Sequence, residues 1–258
     1  MRIATWNVNS LNVRLPQLID WLANRTPDIV CLQETKCEDS KFPLEALQST
    51  GYQITFTGQK TYNGVAILSR DPVADPVMAI PDFADEQKRV LAVTCAGVRV
   101  VCAYIPNGES VESPKYQYKL GWLRAFLNWI ENERGQHEQM AVLGDFNIAP
   151  EDRDVHDPKA WKDQVLCSEP ERSAFRQLQA LGFEDSYRLF EQPENSFSWW
   201  DYRMNGFKRN LGLRIDHVML SMALARRCQA CTIDRGMRAN ERPSDHAPVV
   251  ADIDLHAA

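Results

Sequence analysis

The chain of 258 residues lacks the apolar run that a membrane span requires, since no stretch approaches the roughly 20 consecutive apolar residues needed. The first strand-like run begins at Arg2, which leaves no room ahead of it for an export signal. Interdomain linkers, internal repeats and long runs of like charge are also absent. These absences predict a single domain over residues 1–258, a cytoplasmic location and no contact with membranes.

Paired cysteine motifs are scarce. The seven cysteines are odd in number, and Cys31, Cys95 and Cys102 lie inside apolar runs, as small core residues do in a reducing compartment. Cys228 and Cys231 have zinc-like spacing, but no second Cys or His pair accompanies them. We therefore expect reduced core thiols and no structural zinc site.

Three well-known catalytic motifs are missing as well. The sequence has no Gly-rich phosphate loop ending in Gly-Lys-Ser/Thr, no Gly-x-Ser-x-Gly elbow and no His-Glu-x-x-His pair. Nucleotide kinases, serine hydrolases and zinc peptidases therefore lose support as assignments.

What the sequence does contain is a series of apolar runs that end in polar side chains. Residues 141–143 lead into Asp145 and Asn147, which would point the same way from an extended backbone. Because an unpaired buried carboxylate is unfavourable, such a pair indicates binding or proton transfer, although Gly, Asp and Asn are also ordinary turn residues. Five further segments deliver comparable side chains to what would be one rim, namely Asn7, Glu34, Tyr104, Asn107, Asp216, Asp245 and His246.

The order of the predicted elements indicates the fold class. Strand and helix patterns alternate early and become mixed later, as expected for an α+β fold with two packed mixed β-sheets flanked by helices, a four-layer α/β sandwich. Helices are expected at 16–25 (opening at Pro16), 43–48, 114–133 and 170–181. Strands are expected at 2–6, 29–32, 52–57, 65–69, 89–95, 98–104, 141–145, 197–200, 213–220, 228–233 and 249–255.

The polar rim is rich in oxygen atoms. Its carboxylates and amides suit a hard cation such as Mg²⁺ better than zinc, with Mn²⁺ as an alternative. A hard cation beside carboxylates and one histidine implies phosphoryl chemistry. The cation would neutralise a phosphate oxygen or the leaving alkoxide, a carboxylate would deprotonate water, and amides with a cationic histidine would hold the remaining charge.

Seven strings, spread in order over nearly the whole chain, resemble the exonuclease III family of abasic-site endonucleases. They lie at 7–11, 32–36, 63–68, 144–148, 197–203, 212–216 and 244–248. Gln33-Glu34 or Ser244-Asp245-His246 alone would indicate only the wider endonuclease/exonuclease/phosphatase superfamily, which includes phosphoinositide phosphatases and sphingomyelinases. Trp-Trp-Asp-Tyr-Arg at 199–203 and Gly-Leu-Arg-Ile-Asp at 212–216 resemble the DNA-repair branch.

The resemblance implies roles for the acidic residues. Glu34 would be the principal metal ligand with Asn7 beside it, and Asp245 would reach the metal side. Asp145 would activate the attacking water, and Asn147 would orient that water or the phosphate. For Glu34, a surface glutamate that caps the following turn is the structural alternative.

The resemblance also implies roles for residues that face the phosphate. Tyr104 and Asn107 would face it directly, although a tyrosine that closes a strand is commonly a core residue with a solvated hydroxyl. His246 would contact the scissile phosphate, while Asp216 accepts its other ring proton and favours the cation. His217 should point elsewhere if the backbone there is extended.

Some residues depart from the family pattern or carry no motif. Asn9 stands where some family members have aspartate, which weakens the case for a second tightly held metal, and Asn107 stands where another bacterial branch has glutamine. His137, His156 and His256 belong to no motif and are expected at the solvated surface.

A basic aromatic segment offsets the net charge of −6, which is unfavourable for a DNA-binding protein. Between Tyr202 and Arg214 the chain carries four basic residues and no acidic one: Arg203, Lys208, Arg209 and Arg214. We expect them to bind the DNA backbone while Trp199, Trp200 and Leu213 line an apolar pocket for an extruded, baseless deoxyribose. The alternative is a solvated loop with tryptophans in the core.

Together these observations predict a monomeric Mg²⁺-dependent phosphodiesterase that cuts duplex DNA 5′ to abasic sites and trims damaged 3′ ends as a 3′-to-5′ exonuclease. One alternative is a specialised 3′-end enzyme with little abasic-site cleavage. A superfamily phosphatase acting on a small or lipid phosphate would leave the basic aromatic segment unexplained. A noncatalytic nucleic-acid-binding regulator would be expected to have lost ligands that this sequence retains.

Overall fold

Two six-stranded β-sheets pack against each other in the computed structural model, which describes residues 1–255. The strands are β1 (Arg2–Asn7), β2 (Ile29–Gln33), β3 (Gln53–Thr57), β4 (Val65–Ser69), β5 (Val73–Val77), β6 (Val90–Cys95), β7 (Val98–Tyr104), β8 (Met140–Asp145), β9 (Phe183–Asp185), β10 (Trp199–Trp200), β11 (Gly212–Leu213), β12 (Asp216–Ser221), β13 (Cys228–Ile233) and β14 (Val249–Ile253). The α-helices are α1 (Leu11–Arg25), α2 (Leu44–Gln48), α3 (Pro114–Gln136), α4 (Glu169–Ala180), α5 (Gly206–Arg209) and α6 (Met222–Ala225). Short 3₁₀ helices lie at Asp39–Lys41, Asp152–Asp154, Ser186–Leu189, Arg203–Asn205 and Arg235–Ala239.

Each large sheet mixes parallel and antiparallel neighbours. The first has the order β13-β14-β1-β2-β4-β3, with β1 and β2 parallel and the other neighbours antiparallel. The second has the order β5-β6-β7-β8-β12-β9, in which only β7 and β8 are parallel. The short strands β10 and β11 pair in a separate antiparallel ribbon. The predicted pair of mixed sheets is therefore confirmed.

The core has three apolar layers because strand side chains alternate between the two faces of each sheet. In β8, Ala141 and Leu143 point into the space between the sheets, whereas Met140 and Val142 pack on the side of α3 and α4. A third layer lies between the outer face of the first sheet and α1, where Leu18 is fully buried. With helices on both outer faces, the predicted four-layer sandwich is confirmed.

Several boundaries differ from those predicted. α1 begins at Leu11 and contains Pro16, because the backbone N–H groups of Ser10 and Leu11 donate to the carbonyls that follow β2, those of Glu34 (2.8 Å) and Thr35 (3.0 Å). This contact, which no local pattern reveals, sets where the helix starts. Strands β5 and β9 were not predicted, and the single strand expected at 213–220 is interrupted between β11 and β12.

Six of the seven cysteines are buried, as predicted for core residues, and Cys228 is half-buried. All seven lie within the described residues and are free thiols, and Cys228 and Cys231 belong to no metal-ligating group found in residues 1–255. Over the same residues, no helix is both long enough and apolar enough to cross a membrane.

Candidate active site

The ends of five strands meet at one edge of the sandwich. In the second sheet Tyr104 pairs with Asp145 across the parallel strands β7 and β8, and Asp216 opens β12 directly opposite Asp145. From the first sheet, β1 ends at Asn7, and Glu34 follows the last residue of β2. The polar residues predicted from separate segments are therefore brought together by strand register.

Gly144 allows this arrangement, because its backbone passes very close to the neighbouring strand. A Cβ atom at Gly144 would lie 1.8 Å from the carbonyl oxygen of Ala103 on β7. Since no side chain fits in that space, the glycine before Asp145 holds the carboxylate tightly against the end of β7.

Three polar groups surround the carboxylate of Glu34. The Nδ2 atom of Asn7 donates to Glu34 Oε1 (2.8 Å) and to Asp145 Oδ2 (2.9 Å), and the Tyr104 hydroxyl donates to Glu34 Oε1 (2.9 Å). The Lys36 ammonium lies 2.8 Å from Glu34 Oε2. Burial alone would raise the pKa of Glu34, but Lys36 and Asn7 hold it below its ordinary value. This carboxylate is therefore ionised at neutral pH.

Two amides fix the other side of Asp145. The backbone N–H of Asn147 donates to Asp145 Oδ1 (2.9 Å), and its Nδ2 atom donates to the carbonyl of Ile105 (3.0 Å). The Nδ2 atom of Asn107 donates in turn to Asn147 Oδ1 (3.0 Å). Asn147 has a left-handed backbone with φ of 49°, which asparagine tolerates better than most residues. The two amides are thus linked to each other and to the carboxylate.

Asp145 is the carboxyl group whose acidity is most altered. Burial raises the pKa of Asp145 to about 7; His246 opposes this rise, while the nearby carboxylates of Asp216 and Glu34 add to it. Such a concentration of buried negative charge is typical of catalytic and metal-binding sites.

His246 completes the cluster as a cation. Its Nδ1–H donates to Asp216 Oδ2 (2.8 Å), which also accepts a hydrogen bond from the Ser198 hydroxyl (2.7 Å), and its Nε2 lies 3.7 Å from Asp145 Oδ2. Burial would lower the pKa of His246, but Asp216 and Asp145 raise it to about 10. The imidazolium therefore carries N–H groups at both ring nitrogens at neutral pH.

His217 faces away from the cluster, as the alternation along β12 predicts. Its Nε2–H donates to the Ile148 carbonyl (2.9 Å), and its Nδ1 accepts from the Arg214 guanidinium (3.0 Å). Burial, with Arg214 acting in the same direction, lowers the pKa of His217 to about 4. This ring is neutral and structural.

One group of residues could hold a divalent cation in the described part of the chain. Ligand atoms of Glu34, Asp145 and His246 all lie within 4.8 Å of one another, and of these three the two carboxylates have lone pairs available, since His246 is protonated at both ring nitrogens. Asp245, predicted as a ligand, is not in this group. Asn9 Nδ2 donates to its Oδ1 (2.9 Å) and Trp199 Nε1 to its Oδ2 (3.1 Å), and Asp245 lines the same cleft as Glu34.

The cluster opens into a cleft of about 680 Å³. The acidic cluster and a set of aromatic and apolar side chains line the same cleft, the latter being those of Trp161, Val165, Leu166, Trp199 and Ile215. A phosphate bound at the cluster would therefore have an apolar surface within the same cleft for its adjoining sugar.

His156 also lines this cleft, so the expectation of a solvated surface position is wrong for this residue. It is half-buried, its Nδ1 lies 3.1 Å from the Gly212 carbonyl oxygen, and its ring meets Trp161 edge-on. His137 is partly exposed beside Glu133, and His256 lies outside the described residues.

Half of the basic aromatic segment is buried, which contradicts three of the predicted DNA contacts. Trp200 and Leu213 are both 0% exposed, and Trp200 Nε1 donates to Asn210. Arg214 is 1% exposed and pairs with Asp154 and Asp185, each at 2.7 Å. These buried residues stabilise the fold, and they line neither the pocket nor a surface that the DNA backbone could reach.

The other half of the segment remains available. Arg203, Lys208 and Arg209 are exposed, although Arg203 pairs with Asp201 at 2.6 Å. Trp199 is half-buried and lines the cleft. Within the segment, Trp199 and Arg203 therefore line the cleft, while Lys208 and Arg209 are solvated cations outside its lining.

Sequence reasoning missed several residues that shape the site. Lys36 lies in the same short string as Glu34, and Ser198 lies in the string that contains Trp199, so both had a signal. Leu166 and Ile215 had no such signal. A single apolar residue in a loop, or next to an arginine, has no sequence pattern that distinguishes the lining of a cleft from the core.

Comparison with known proteins agrees with the geometry. A family model described as the Endonuclease/Exonuclease/phosphatase family matches residues 4–246. Exodeoxyribonuclease III of Haemophilus influenzae is 35% identical over 265 residues, which cover 98% of this chain and 99% of that protein.

Solved structures of similar proteins superpose closely. A 3′ phosphatase from Neisseria bound to a product DNA hairpin has a TM-score of 0.97 and 47% identity, covering 99% of this chain and 100% of that one. An AP endonuclease from Archaeoglobus fulgidus has a TM-score of 0.95 and 38% identity, with the same coverage. The chain therefore belongs to the endonuclease/exonuclease/phosphatase family and, within it, to the exonuclease III family of abasic-site endonucleases.

Proposed function

We propose that this chain is a Mg²⁺-dependent DNA repair phosphodiesterase. It hydrolyses the backbone of duplex DNA 5′ to abasic sites and trims damaged 3′ ends as a 3′-to-5′ exonuclease. The observation that carries this proposal is the group of Glu34, Asp145 and His246, which opens into a cleft that apolar and aromatic side chains also line. The names of the relatives, an exodeoxyribonuclease III and an AP endonuclease, support the substrate class.

The residues present fit a hard divalent cation. Glu34 is an ionised carboxylate, and the raised pKa of Asp145 reflects its burial and, to a smaller extent, the nearby carboxylates of Asp216 and Glu34, whose charge a cation would offset. Mg²⁺, or Mn²⁺ in its place, held by Glu34 with Asn7 beside it would supply positive charge to the phosphate and the leaving oxygen. Asp245, which lines the same cleft and accepts hydrogen bonds from Asn9 and Trp199, would reach the metal side of the site.

Asp145 acts as the base that takes a proton from the attacking water. Its Oδ1 is held by the Asn147 backbone N–H, and its Oδ2, which accepts from Asn7, lies 3.7 Å from His246 Nε2. A fixed carboxylate with a pKa near the working pH is an efficient proton acceptor. Asn147 and Asn107, joined by a hydrogen bond, orient the water and the phosphate.

His246 and Tyr104 hold the negative charge that develops on the phosphate. His246 is a cation with Nε2–H directed toward the cluster, and Asp216 fixes the orientation of its ring. Burial, Glu34 and Asp145 keep the pKa of Tyr104 well above its ordinary value, so the hydroxyl keeps its proton and remains a donor.

The apolar side of the cleft receives the baseless deoxyribose. Trp199, Ile215 and Leu166 replace the predicted set of Trp199, Trp200 and Leu213 in this role. Arg203, Lys208 and Arg209 contact the adjacent DNA backbone, where exposed cations contribute affinity that depends on salt. We further propose that the protein works as a cytoplasmic monomer; its free thiols support a reducing compartment.

The test is single-turnover cleavage of a labelled duplex that contains one abasic analogue, with Mg²⁺ or with EDTA. An intact duplex and a duplex with a recessed 3′ end serve as comparison substrates, and the Asp145→Asn variant is the control for contaminating nucleases. One Mg²⁺-dependent cut 5′ to the lesion, absent in the variant, is the expected result.

Two other results would contradict the proposal. Trimming of 3′ ends without an internal cut would indicate a specialised 3′-end enzyme. No cleavage of any DNA, with hydrolysis of a small phosphate ester retained, would indicate a superfamily phosphatase.

A further inference from the structure

A lysine and a glutamate are buried together beneath the two amides that face the cleft. Lys119 on α3 and Glu171 on α4 are both 0% exposed and form an ion pair with each other. Taking two charges out of water is unfavourable, and an apolar pair of similar volume would often stabilise a fold as well. Fold stability alone therefore gives a weak reason for this pair.

The ammonium of Lys119 is directed at the site. Besides Glu171, it donates to the carbonyl oxygens of Asn147 (2.7 Å) and Asn107 (3.1 Å), so all three of its donors are used. These carbonyls belong to the segments that follow β8 and β7, and the side chains of the same two residues bond each other at 3.0 Å. Lys119 thus fixes the spacing of the two amides from below.

The carboxylate of Glu171 links Lys119 to the segment around Leu166, which lines the cleft. Its Oε1 accepts from the backbone N–H of Leu166 (3.0 Å), and its Oε2 accepts from the backbone N–H (3.1 Å) and hydroxyl (2.5 Å) of Ser168. Leu166 lines the apolar side of the cleft. A Cβ atom at Gly108, where φ is 98°, would lie 3.3 Å from Lys119 Cδ and 3.1 Å from Val165 Cγ2, so these parts are packed closely.

We propose that Lys119 and Glu171 are positioning residues that hold the Asn107 and Asn147 amides at a fixed distance from the Leu166 wall. This inference rests on the proposed function, because the phosphate of the substrate would lie at the amides and its sugar at the wall. The pair touches neither group and acts through backbone atoms of the residues that do. It therefore governs the rate of the cleavage step more than the affinity for DNA.

The experiment compares two double variants. Lys119→Met with Glu171→Gln removes both charges and leaves no unpaired buried ion. The matched control is Arg99→Met with Glu133→Gln, which removes another largely buried pair (2.6 Å) whose arginine also donates to a carbonyl, that of Asp75 (2.7 Å). Arg99 and Glu133 do not line the cleft. Tm, the single-turnover rate on the abasic duplex and Kd for that duplex are measured for both.

We expect similar decreases in Tm for both double variants, but a loss of roughly 30-fold in cleavage rate only for the Lys119/Glu171 variant. Its Kd should stay within about threefold of wild type, since the pair acts on positioning and not on contact area. Equal rates in the two variants, or a loss confined to Kd, would overturn the inference.

A readout without activity separates this inference from the proposed function. Amide hydrogen exchange of the DNA-free protein should become faster at 105–108, 147–149 and 164–168 in the Lys119/Glu171 variant and stay unchanged there in the control. Unchanged exchange in these segments would contradict the positioning role even if wild type proved inactive on abasic DNA. Faster exchange with an inactive wild type would leave the role standing and refute only the repair function.

Discussion

The acidic cluster and the segment 199–214 are both rich in charge, but they use it differently. In the cluster, Glu34, Asp145 and His246 lie at or beside strand ends, and each charge has a partner inside the site. In the segment, Arg214 is buried in ion pairs, whereas Lys208 and Arg209 are solvated. Under the proposed function, the charges of the cluster are held in place for catalysis, the enclosed ion pairs of Arg214 stabilise the fold, and the exposed cations are free to contact DNA.

The largest effect is expected in the cluster, from Asp145→Asn. The variant keeps the shape of the side chain but cannot accept a proton from water, so the single-turnover rate should fall by about 10³-fold. Cleavage within tenfold of wild type would show that another group is the base. Binding of the abasic duplex, measured by anisotropy with Ca²⁺ present, should change little and serves as the control for folding.

Asp145→Asn should also change how the stability of the protein depends on pH. The pKa of Asp145 is about 7 in the folded protein, above its ordinary value of 3.8, so the folded state favours the protonated form. Its stabilising contribution is full below about pH 4 and is lost as pH rises through 7. In EDTA, the difference in Tm between Asp145→Asn and wild type should therefore shift in favour of the variant from pH 5 to pH 8.

In the segment, the largest expected effect is on the fold and not on DNA binding. Arg214→Met leaves Asp154 and Asp185 without this buried partner, which should lower the free energy of unfolding by about 3–5 kcal/mol. Chemical denaturation measures the loss. The salt dependence of DNA binding should not change at temperatures where the variant is folded; a reduced slope would mean that Arg214 reaches the phosphates after all.

Asp216→Asn tests how the cluster keeps its histidine charged. Burial favours neutral His246, and Asp216 is the main group that raises its pKa to about 10. Without that carboxylate the pKa falls, so activity should drop by about 10²-fold and its alkaline limit should move to lower pH. The pH–rate profile of the variant is the measurement, and an unmoved alkaline limit would exclude His246 as the group that titrates there.

Trp199→Ala tests the part of segment 199–214 that lines the cleft, as distinct from the part that is buried in the core. Loss of this wall should reduce cleavage of the abasic duplex by about tenfold, while hydrolysis of a small phosphodiester is nearly unchanged. Trp200→Ala is the matched comparison: it removes a fully buried ring and should cost about 3–5 kcal/mol of stability. Equal losses on both substrates for Trp199→Ala would refute the pocket.

The smallest effects are expected from the exposed cations. Lys208→Ala and Arg209→Ala should each weaken DNA binding only a few-fold, and each should reduce the salt slope of log Kd by about 1. Both effects should be the same for abasic and intact duplex, because phosphate contacts carry no lesion specificity. A variant that changes only abasic binding would place its side chain in the cleft instead.

The sequence predicted the cluster better than the segment for a physical reason. Asp145 and Asn147 follow a strongly apolar strand, and the carboxyl ends of parallel neighbours such as β7 and β8 meet at the same edge of a sheet, so polar residues that end such strands lie close together. Trp200 and Arg214 lie in a stretch with little regular structure, where nothing local shows which way a side chain points. Their burial depends on partners far along the chain, such as Asp154, and only the folded structure identifies these.

The same limit applies to the fold. The long strands and α3 follow from apolar periodicity, whereas the start of α1 depends on a contact with the loop after Glu34. Strand β5 is largely exposed, so its sequence lacks the alternation that marks a buried strand. The Lys119–Glu171 pair shows the other extreme, since its two charges lie on helices whose sequences give no sign of burial.

His217 and His246 have pKa values of about 4 and about 10, which has a consequence for how this site senses protons. Across the range from pH 5 to pH 9, one imidazole is fixed as a neutral ring and the other as a permanent ion. Neither should show a moving NMR resonance in the metal-free protein over that range. His246 therefore keeps its charge over this range as an arginine would, and of these three groups the carboxyl group of Asp145, with a pKa of about 7, is the one expected to exchange its proton near neutral pH.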